Sequence, residues 1–338
     1  MPSFTIAFCY NVKRRDVSAM SPELDFDSLE TIDAIVKTVE NLGYPVIRIE
    51  ADKDAYVNLA LFKNKIDLVF NIAEGMRGDA RESNIPQYCE ALEIPYTHSS
   101  PTVLAICLDK YLTRLAVRGA GIRVPEAVLV QDGKIGDWDK LTAPVIIKPN
   151  SEGSSMGIFN ANVVNSLYDA EKRMKELRAE GLKGEILVEE YIEGREFTVG
   201  LLDNPPQVLP IIEQKFDFLP EGMQHVAGYE LKWMIEDKLE KLTDAYDCPP
   251  KITPEQKRLI EETSVLAFNT LKIRDCARID FRMDRRGKLY FLEINPLPGI
   301  NPDEKQISYF PLAARMAGIK FPELVQKIIT SARARWGV

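Results

Sequence analysis

Cys276-Ala277-Arg278-Ile279-Asp280-Phe281-Arg282-Met283, a turn over 284–287, and Leu289-Tyr290-Phe291-Leu292-Glu293-Ile294-Asn295 together read as a β-hairpin. Side chains alternate faces along a strand. Arg278, Asp280 and Arg282 therefore share one face of the first strand, and Ala277, Ile279, Phe281 and Met283 share the other. On the second strand Glu293 and Asn295 share a face, opposite Leu292 and Ile294. With a tip at Arg286-Gly287, residues 285 and 288 pair, and counting outward sets Asp280 opposite Glu293. A three-residue tip would slip this register by one.

Two carboxylates facing each other across neighbouring strands repel, so the pairing calls for a cation. Hard oxygen ligands with room left for phosphate oxygens suit Mg²⁺. The alternative is a solvated hairpin, which accounts for Arg282. It accounts less well for Asn295-Pro296-Leu297-Pro298-Gly299, a stiff turn at the end of the carboxylate strand.

A second stretch bears on phosphate. Residues 144–148 form an apolar strand ending on Lys148, and Pro149-Asn150-Ser151-Glu152-Gly153-Ser154-Ser155-Met156-Gly157 follows. Backbone N–H groups and hydroxyls of such a loop can surround phosphate oxygens, with Lys148 aimed at the same charge. A plain surface turn has the same composition, and neither a P-loop nor a GxGxxG fingerprint is present. Lys110, at a helix start, and the carboxylates of 188–197 read by themselves as a surface lysine and a charged turn.

Around these stretches the chain divides into three. Strands over 4–10, 46–50 and 67–72 alternate with helices over 26–42 and 54–63, the pattern of an open parallel sheet whose strand ends carry a site. A helical stretch over 101–120 leads to strands 127–130, 145–148, 186–190 and 196–202 with a helix over 166–180, a small α+β unit. The last unit has a helix over 254–271, strands 275–283 and 288–294, and helices 308–316 and 321–335. Its first helix opens with Thr253-Pro254-Glu255-Gln256, a capping box with proline at the first position. The boundaries read as 1–100, 101–205 and 206–338.

The 338 residues are 45% hydrophobic and 28% charged, with net charge -8. No basic stripe favours nucleic acid, and no apolar run reaches membrane-spanning length, so a cytoplasmic protein is expected. Five scattered cysteines without a CxxC pair, and only His98 and His225, argue against a zinc site or a histidine-based triad.

Taken in order, 71–87 (NIAEGMRGDARESNIPQ), 94–97, 107–110, 146–157, 188–197, 229–232, 248–253, 278–280, 292–299 and 311–315 resemble the ATP-grasp superfamily, and within it the D-alanine–D-alanine ligases. The resemblance implies an α/β plus α+β ATP-grasp fold: an N-terminal Rossmann-like parallel-sheet domain, a small central α+β subdomain and a C-terminal α+β domain with an antiparallel sheet. It implies that Lys110 and Lys148 contact ATP phosphates from either side, beneath a closing loop of Glu152, Gly153, Ser154 and Ser155. Glu189 and Ile192 would lie beside the adenine, Glu196 at the ribose, and Lys232 at the terminal phosphate. Asp280, Glu293 and Asn295 would hold two Mg²⁺ ions, with Mn²⁺ an admissible substitute. Arg278 and the Gly299 N–H would stabilise a tetrahedral oxyanion. A carboxylate would be phosphorylated by ATP, and an amine would displace phosphate from the acyl phosphate. A homodimer acting on small carboxylate and amino acid substrates is implied as well.

The substrate side departs from the family. The Glu that usually follows the first strand and grips the amine of the first D-alanine has no equivalent in Tyr10-Asn11-Val12-Lys13-Arg14-Arg15-Asp16. Trp233 replaces the Tyr that would cooperate with it and with Ser154. A Ser-His-Ser turn becomes 301–308, about four residues longer, leaving Ser308 to meet the acceptor carboxylate. These changes predict a donor other than D-alanine, as in natural-product pathways such as mycosporine-type amino acid addition. The alternatives are a true D-alanine–D-alanine ligase and a non-catalytic nucleotide-binding protein.

Overall fold

The computed structural model describes residues 4–14, 17–130 and 133–338. Its strands form three sheets. In the first, Ile6–Tyr10 runs parallel between Val46–Glu50 and Leu68–Asn71, Ile6 facing both Val46 and Leu68. Helix Leu29–Asn41 starts where the Ser28 side chain accepts from the Thr31 N–H. It buries Ile32, Ile35, Val36 and Val39, a helical stripe at i, i+3, i+4 and i+7. That stripe packs in one core with Val325, Ile328 and Ile329 of the terminal helix Phe321–Trp336, so the C-terminus closes back onto the N-terminal sheet.

The helix Asn84–Leu92 covers the other face of this sheet, burying Ile85 and Cys89 against Ala7, Cys9 and Leu59. The sequence reading missed it. Pro86 lies in its first turn, where an absent N–H breaks no helical bond. The single helical run expected over 101–120 is two helices, Pro101–Leu108 and Lys110–Gly119. Asp109 between them is extended, and its side chain caps the second by accepting from the Leu112 N–H. This break sets Lys110 at a helix start.

The second sheet is antiparallel, in the order Ala127–Leu129, Ile186–Glu190, Val145–Pro149, Val163–Val164. Helix Leu167–Ala179 packs on it, capped by Ser166. Strand Gly194–Leu202 is not part of this sheet, a correction to the grouping of 196–202 with it. It is central in the third sheet, pairing Cys276–Asp284 along its whole length and Ile212–Gln214 on its other edge. Every residue from Glu196 to Leu202 is buried, as befits a strand covered on both faces. The expected capping box of helix Pro254–Thr270 is present. Among the described residues no helix is long and apolar enough to cross a membrane.

The hairpin reaches its expected pairing by an unexpected route. The tip is Arg285-Arg286-Gly287, closed by the Asp284 N–H donating to the Lys288 carbonyl at 2.9 Å, with Gly287 at φ +79°. This three-residue tip slips the register, so Phe281 faces Phe291, Arg282 faces Tyr290 and Met283 faces Leu289. A bulge between these pairs and Asp280 then restores it: Asp280 faces Glu293 and Arg278 faces Asn295. Bulges re-aim side chains beside sites. Leu292 is the re-aimed residue. It had been expected on the face opposite Glu293, yet both line one cleft.

Candidate active site

The cleft lies between the second and third sheets. Asp280 accepts from the Thr198 hydroxyl at 2.7 Å, Thr198 being its neighbour on the adjoining strand, and from Arg278 Nη2 at 3.0 Å. The Arg278 guanidinium also lies 3.8 Å from Glu293, and Lys110 Nζ lies 3.7 Å from Glu293. Burial pushes the Asp280 carboxyl up, with Arg278 opposing and Glu293 adding to the rise. Burial also works against ionisation of Glu293, but Lys110, Arg278, Lys232 and Lys148 overcome it and hold that carboxyl at about 2. The two environments drive the paired acids in opposite directions.

Asn295 follows on the same strand face, and its amide nitrogen is buried without a hydrogen-bond partner. Among the described residues no three Asp, Glu, His or Cys side chains group to hold a metal by themselves. Two carboxylates and one amide instead fit Mg²⁺, which commonly completes its shell with phosphate oxygens and water.

The Gly/Ser loop lies over this pair. Ser154 and Ser155 have φ of +43° and +59°, and three anchors hold them and their neighbours. The Ser155 hydroxyl donates to the Ala227 carbonyl at 2.6 Å, Arg81 donates to the Ser151 carbonyl at 2.9 Å, and Lys110 donates to the Glu152 carbonyl. Lys110 thus ties the loop to Glu293. Gly153 packs so closely on Asp25 that a methyl there would lie 2.7 Å from Asp25 Oδ1.

Lys148 and Glu189 line the cleft, but the structure joins them in an ion pair at 2.6 Å, with Arg114 on the other Glu189 oxygen. Glu189 is only 1% exposed. Burial alone would raise its carboxyl, yet Arg114 and Lys148 bring it below the usual range. Sequence reasoning had assigned the two to different parts of a nucleotide. Ile192 and Glu196 are linked by a residue it had left unassigned. Arg282 donates to Glu196 Oε2 at 2.8 and 2.9 Å and to the Ile192 carbonyl at 2.9 Å, its guanidinium 4.9 Å from the Tyr191 ring. Its place on the face of Arg278 and Asp280 was the available signal. Apolar walls come from Ile146, Ile158, Val226 and Leu292.

Lys232 sits on the short π-helical segment Leu231–Ile235 and faces both this cleft and a second cavity. That cavity is lined by Ser154, Trp233, Arg278, Asn295, Gly299 and Ser308. Every predicted residue except Lys110 lines one of these two adjoining spaces, and Lys110 reaches the first through Glu293 and the loop.

A family model described as the D-ala D-ala ligase C-terminus matches residues 121–330. This chain belongs to the D-alanine–D-alanine ligase family. It is 32% identical over 311 residues to an uncharacterized protein of Sinorhizobium fredii, covering 90% of this chain and 88% of that one. It is 32% identical over 314 residues to the D-alanine–D-alanine ligase of Aquifex aeolicus, covering 90% and 94%. Its fold matches the Bacillus anthracis D-alanine–D-alanine ligase crystallised with ATP, at TM-score 0.75 and 21% identity over 99% of each chain. The VanG D-Ala:D-Ser ligase of Enterococcus faecalis matches at TM-score 0.71, with 21% identity over 98% of this chain and 99% of that one. The fold is ATP-grasp, and the protein is an ATP-dependent C–N ligase whose cofactors are ATP and Mg²⁺.

Within this ligase family member the second cavity is walled by the segments in which the sequence departs from the family pattern. Lys13 Nζ lies 4.0 Å from the Trp233 ring centroid, and Trp233 Nε1 donates to the Ser154 carbonyl at 3.3 Å. The expected Arg15-Asp16 end of that N-terminal segment lies outside the described residues. The Ser308 hydroxyl donates to the Gly299 carbonyl at 3.2 Å, folding the long 301–308 turn over the cavity. Asp25, Asp27, Glu74 and Glu82, none of them predicted, complete its wall.

Proposed function

We propose that this ligase joins a carboxylate donor other than D-alanine to the amine of an amino acid. The observation that carries the ligase assignment of the site is the Asp280–Glu293 pair set among Arg278, Lys110 and Lys232. ATP bound there with Mg²⁺ supplies the phosphoryl group that makes the donor carboxylate an acyl phosphate, from which the amine displaces inorganic phosphate. In this reading Asp280, Glu293 and Asn295 hold Mg²⁺, and Lys110, Lys148 and Lys232 with the 152–155 loop neutralise and orient phosphate. Glu189, Ile192 and Glu196 receive adenine and ribose. Arg278 and the Gly299 N–H face the oxyanion, where fixed donors in a site shielded from water act most strongly. Trp233 and the loop cover the reacting carbon, since water would destroy an acyl phosphate.

The altered donor follows from the walls. The segment after the first strand carries Lys13 and no Glu equivalent, Trp233 replaces the family's Tyr, and the 301–308 turn lines the cavity. A polar pocket that loses a matched hydrogen-bonding group changes its preference strongly. In this reading residues 1–100 supply the substrate wall while 101–205 and 206–338 grasp the nucleotide. The functional unit is a cytoplasmic homodimer.

A second reading, a genuine D-alanine–D-alanine ligase, is favoured by the 32% identity to the Aquifex aeolicus enzyme of that name. Phosphate release measured across pairs of carboxylates and amines separates the two. The first reading expects another donor to exceed D-alanine by at least an order of magnitude, whereas D-alanyl-D-alanine as the fastest product would reject it. ADP release that ignores both substrates would reject ligation altogether.

A further inference from the structure

The second cavity, about 350 Å³ in volume, has an acidic wall whose charges are unevenly matched. Asp25 lies 3.0 Å from Arg81, and the same guanidinium holds Glu152 at 3.0 Å. Asp27 has Lys13 for its neighbouring cation. Glu74 and Glu82 have no such partner: among the described residues neither carboxylate makes a hydrogen bond or an ion pair. Arg81 attracts both, and Lys110 attracts Glu82. Yet Arg81 is committed to Asp25, Glu152 and the Ser151 carbonyl, and Lys110 to Glu293 and the Glu152 carbonyl.

Glu82 is the informative residue. It is only 9% exposed, and it lines the cavity. A buried carboxylate without a partner costs free energy unless something that enters the site matches it. Burial raises both carboxyls: Glu82 reaches about 7 although Arg81 and Lys110 oppose the rise, and Glu74, with Glu82 and Asp25 adding to it, lies well above the ordinary range. An organic cation entering the cavity would supply the missing charge. One ammonium would match one carboxylate and leave its neighbour unmatched, so the wall suits a ligand with two cationic groups.

We propose that the carboxylate donor is a basic amino acid, whose ammonium and cationic side-chain group are received by Glu74 and Glu82. This rests on the ligase reading above and names its substrate class. Both acids lie on the connection that follows strand Leu68–Asn71, Glu82 in the short helix Arg81–Ser83. They are therefore carried by the parallel sheet, while Arg278, Asn295 and Gly299 reach the same cavity from the hairpin. The donor would span the two, its carboxylate towards Arg278 and its cations towards the sheet.

Donor activation can be read without an acceptor by supplying hydroxylamine, which traps an acyl phosphate as a hydroxamate. The full-length enzyme with ATP and Mg²⁺ is given each enantiomer of alanine, glutamate, ornithine, lysine and arginine in turn. The expected result is a basic amino acid exceeding both alanine and glutamate at least tenfold in kcat/KM. Glu82→Gln should erase that margin chiefly through KM. Alanine or glutamate activated as well as every basic amino acid by the unmodified enzyme would overturn the donor class and leave the ligase reading standing. A basic preference that survives both Glu82→Gln and Glu74→Gln would overturn the assignment to these residues. Absence of hydroxamate and of ADP with every amino acid would overturn the donor class; absence of ADP with every carboxylate of the phosphate-release screen as well would overturn the ligase reading.

Discussion

Glu293 stands directly across the strand pair from Asp280, and Arg278 spans them, 3.0 Å from Asp280 and 3.8 Å from Glu293. One guanidinium cannot neutralise two carboxylates, and the ordinary cross-strand penalty for like charges applies. Lys110, Lys148 and Lys232 supply the remaining positive field at Glu293. Removing the negative side chain would leave those cations facing one another. Glu293→Ala should therefore lower turnover by at least a thousandfold. A loss of less than tenfold, measured as amine-dependent phosphate release at saturating Mg²⁺, would remove Glu293 from the metal assignment.

Arg282 holds Glu196 through two hydrogen bonds and is itself 4% exposed. Breaking a buried ion pair by deleting one partner costs about 3–5 kcal/mol, so Arg282→Met should destabilise the fold by that order in urea denaturation. If Arg282 also positions Glu196 for a ribose, the variant should lose most of its preference for ATP over 3′-deoxy-ATP. Equal losses with both nucleotides would mark Arg282 as purely structural.

Gly153 leaves room for Asp25, which Arg81 holds in place. Gly153→Ala would put a methyl group within 2.7 Å of the Asp25 carboxylate. The loop must then lift, and KM for ATP should rise about tenfold while the melting temperature shifts by only a few degrees. An unchanged KM would detach this contact from loop position.

His98 is fully buried, with Nδ1 2.8 Å from the Thr97 hydroxyl and Nε2 without a partner. Burial lowers its pKa from 6.5 to about 4, outweighing the attraction of Asp275. Between those values the unfolded chain binds the proton and the folded chain does not, so stability falls as pH drops through that window. The loss from this group approaches about 3 kcal/mol by pH 4. Asp27 acts oppositely: burial raises its carboxyl to about 6 despite Lys13, so its folded-state protonation favours the fold below that pH. The His98 contribution is isolated by comparing urea denaturation of the unmodified protein with His98→Asn, a residue that tolerates the positive φ of 70° here. The difference in stability between the two should change with pH between 4 and 6.5, and a constant difference would contradict the assignment.

What the sequence made legible was local. The Thr253 capping box, the buried stripe of Leu29–Asn41 and the alternation along Cys276–Asp284 all depend on residues near one another in the chain. The Asp280–Glu293 pairing was expected from a two-residue tip, whereas it arises because a longer tip and a bulge cancel. The bulge itself has no signature in Leu292-Glu293 and shows only in the pairing. The Gly194–Leu202 strand was assigned to the wrong sheet because its partner lies some eighty residues away. Long-range pairs were invisible for the same reason: Arg282 with Glu196, Lys148 with Glu189, and Lys13 over Trp233. Glu74 and Glu82 were inside a recognised stretch, yet only the fold shows that they face the cavity that Arg278 reaches from the other side.

The most direct test of carboxylate activation follows oxygen. A donor labelled with ¹⁸O in its carboxylate is incubated with enzyme, ATP, Mg²⁺ and an amino acid acceptor, and the released phosphate is analysed by mass spectrometry. Activation through an acyl phosphate predicts one ¹⁸O atom in each phosphate released with product. Unlabelled phosphate accompanying amide formation would contradict it.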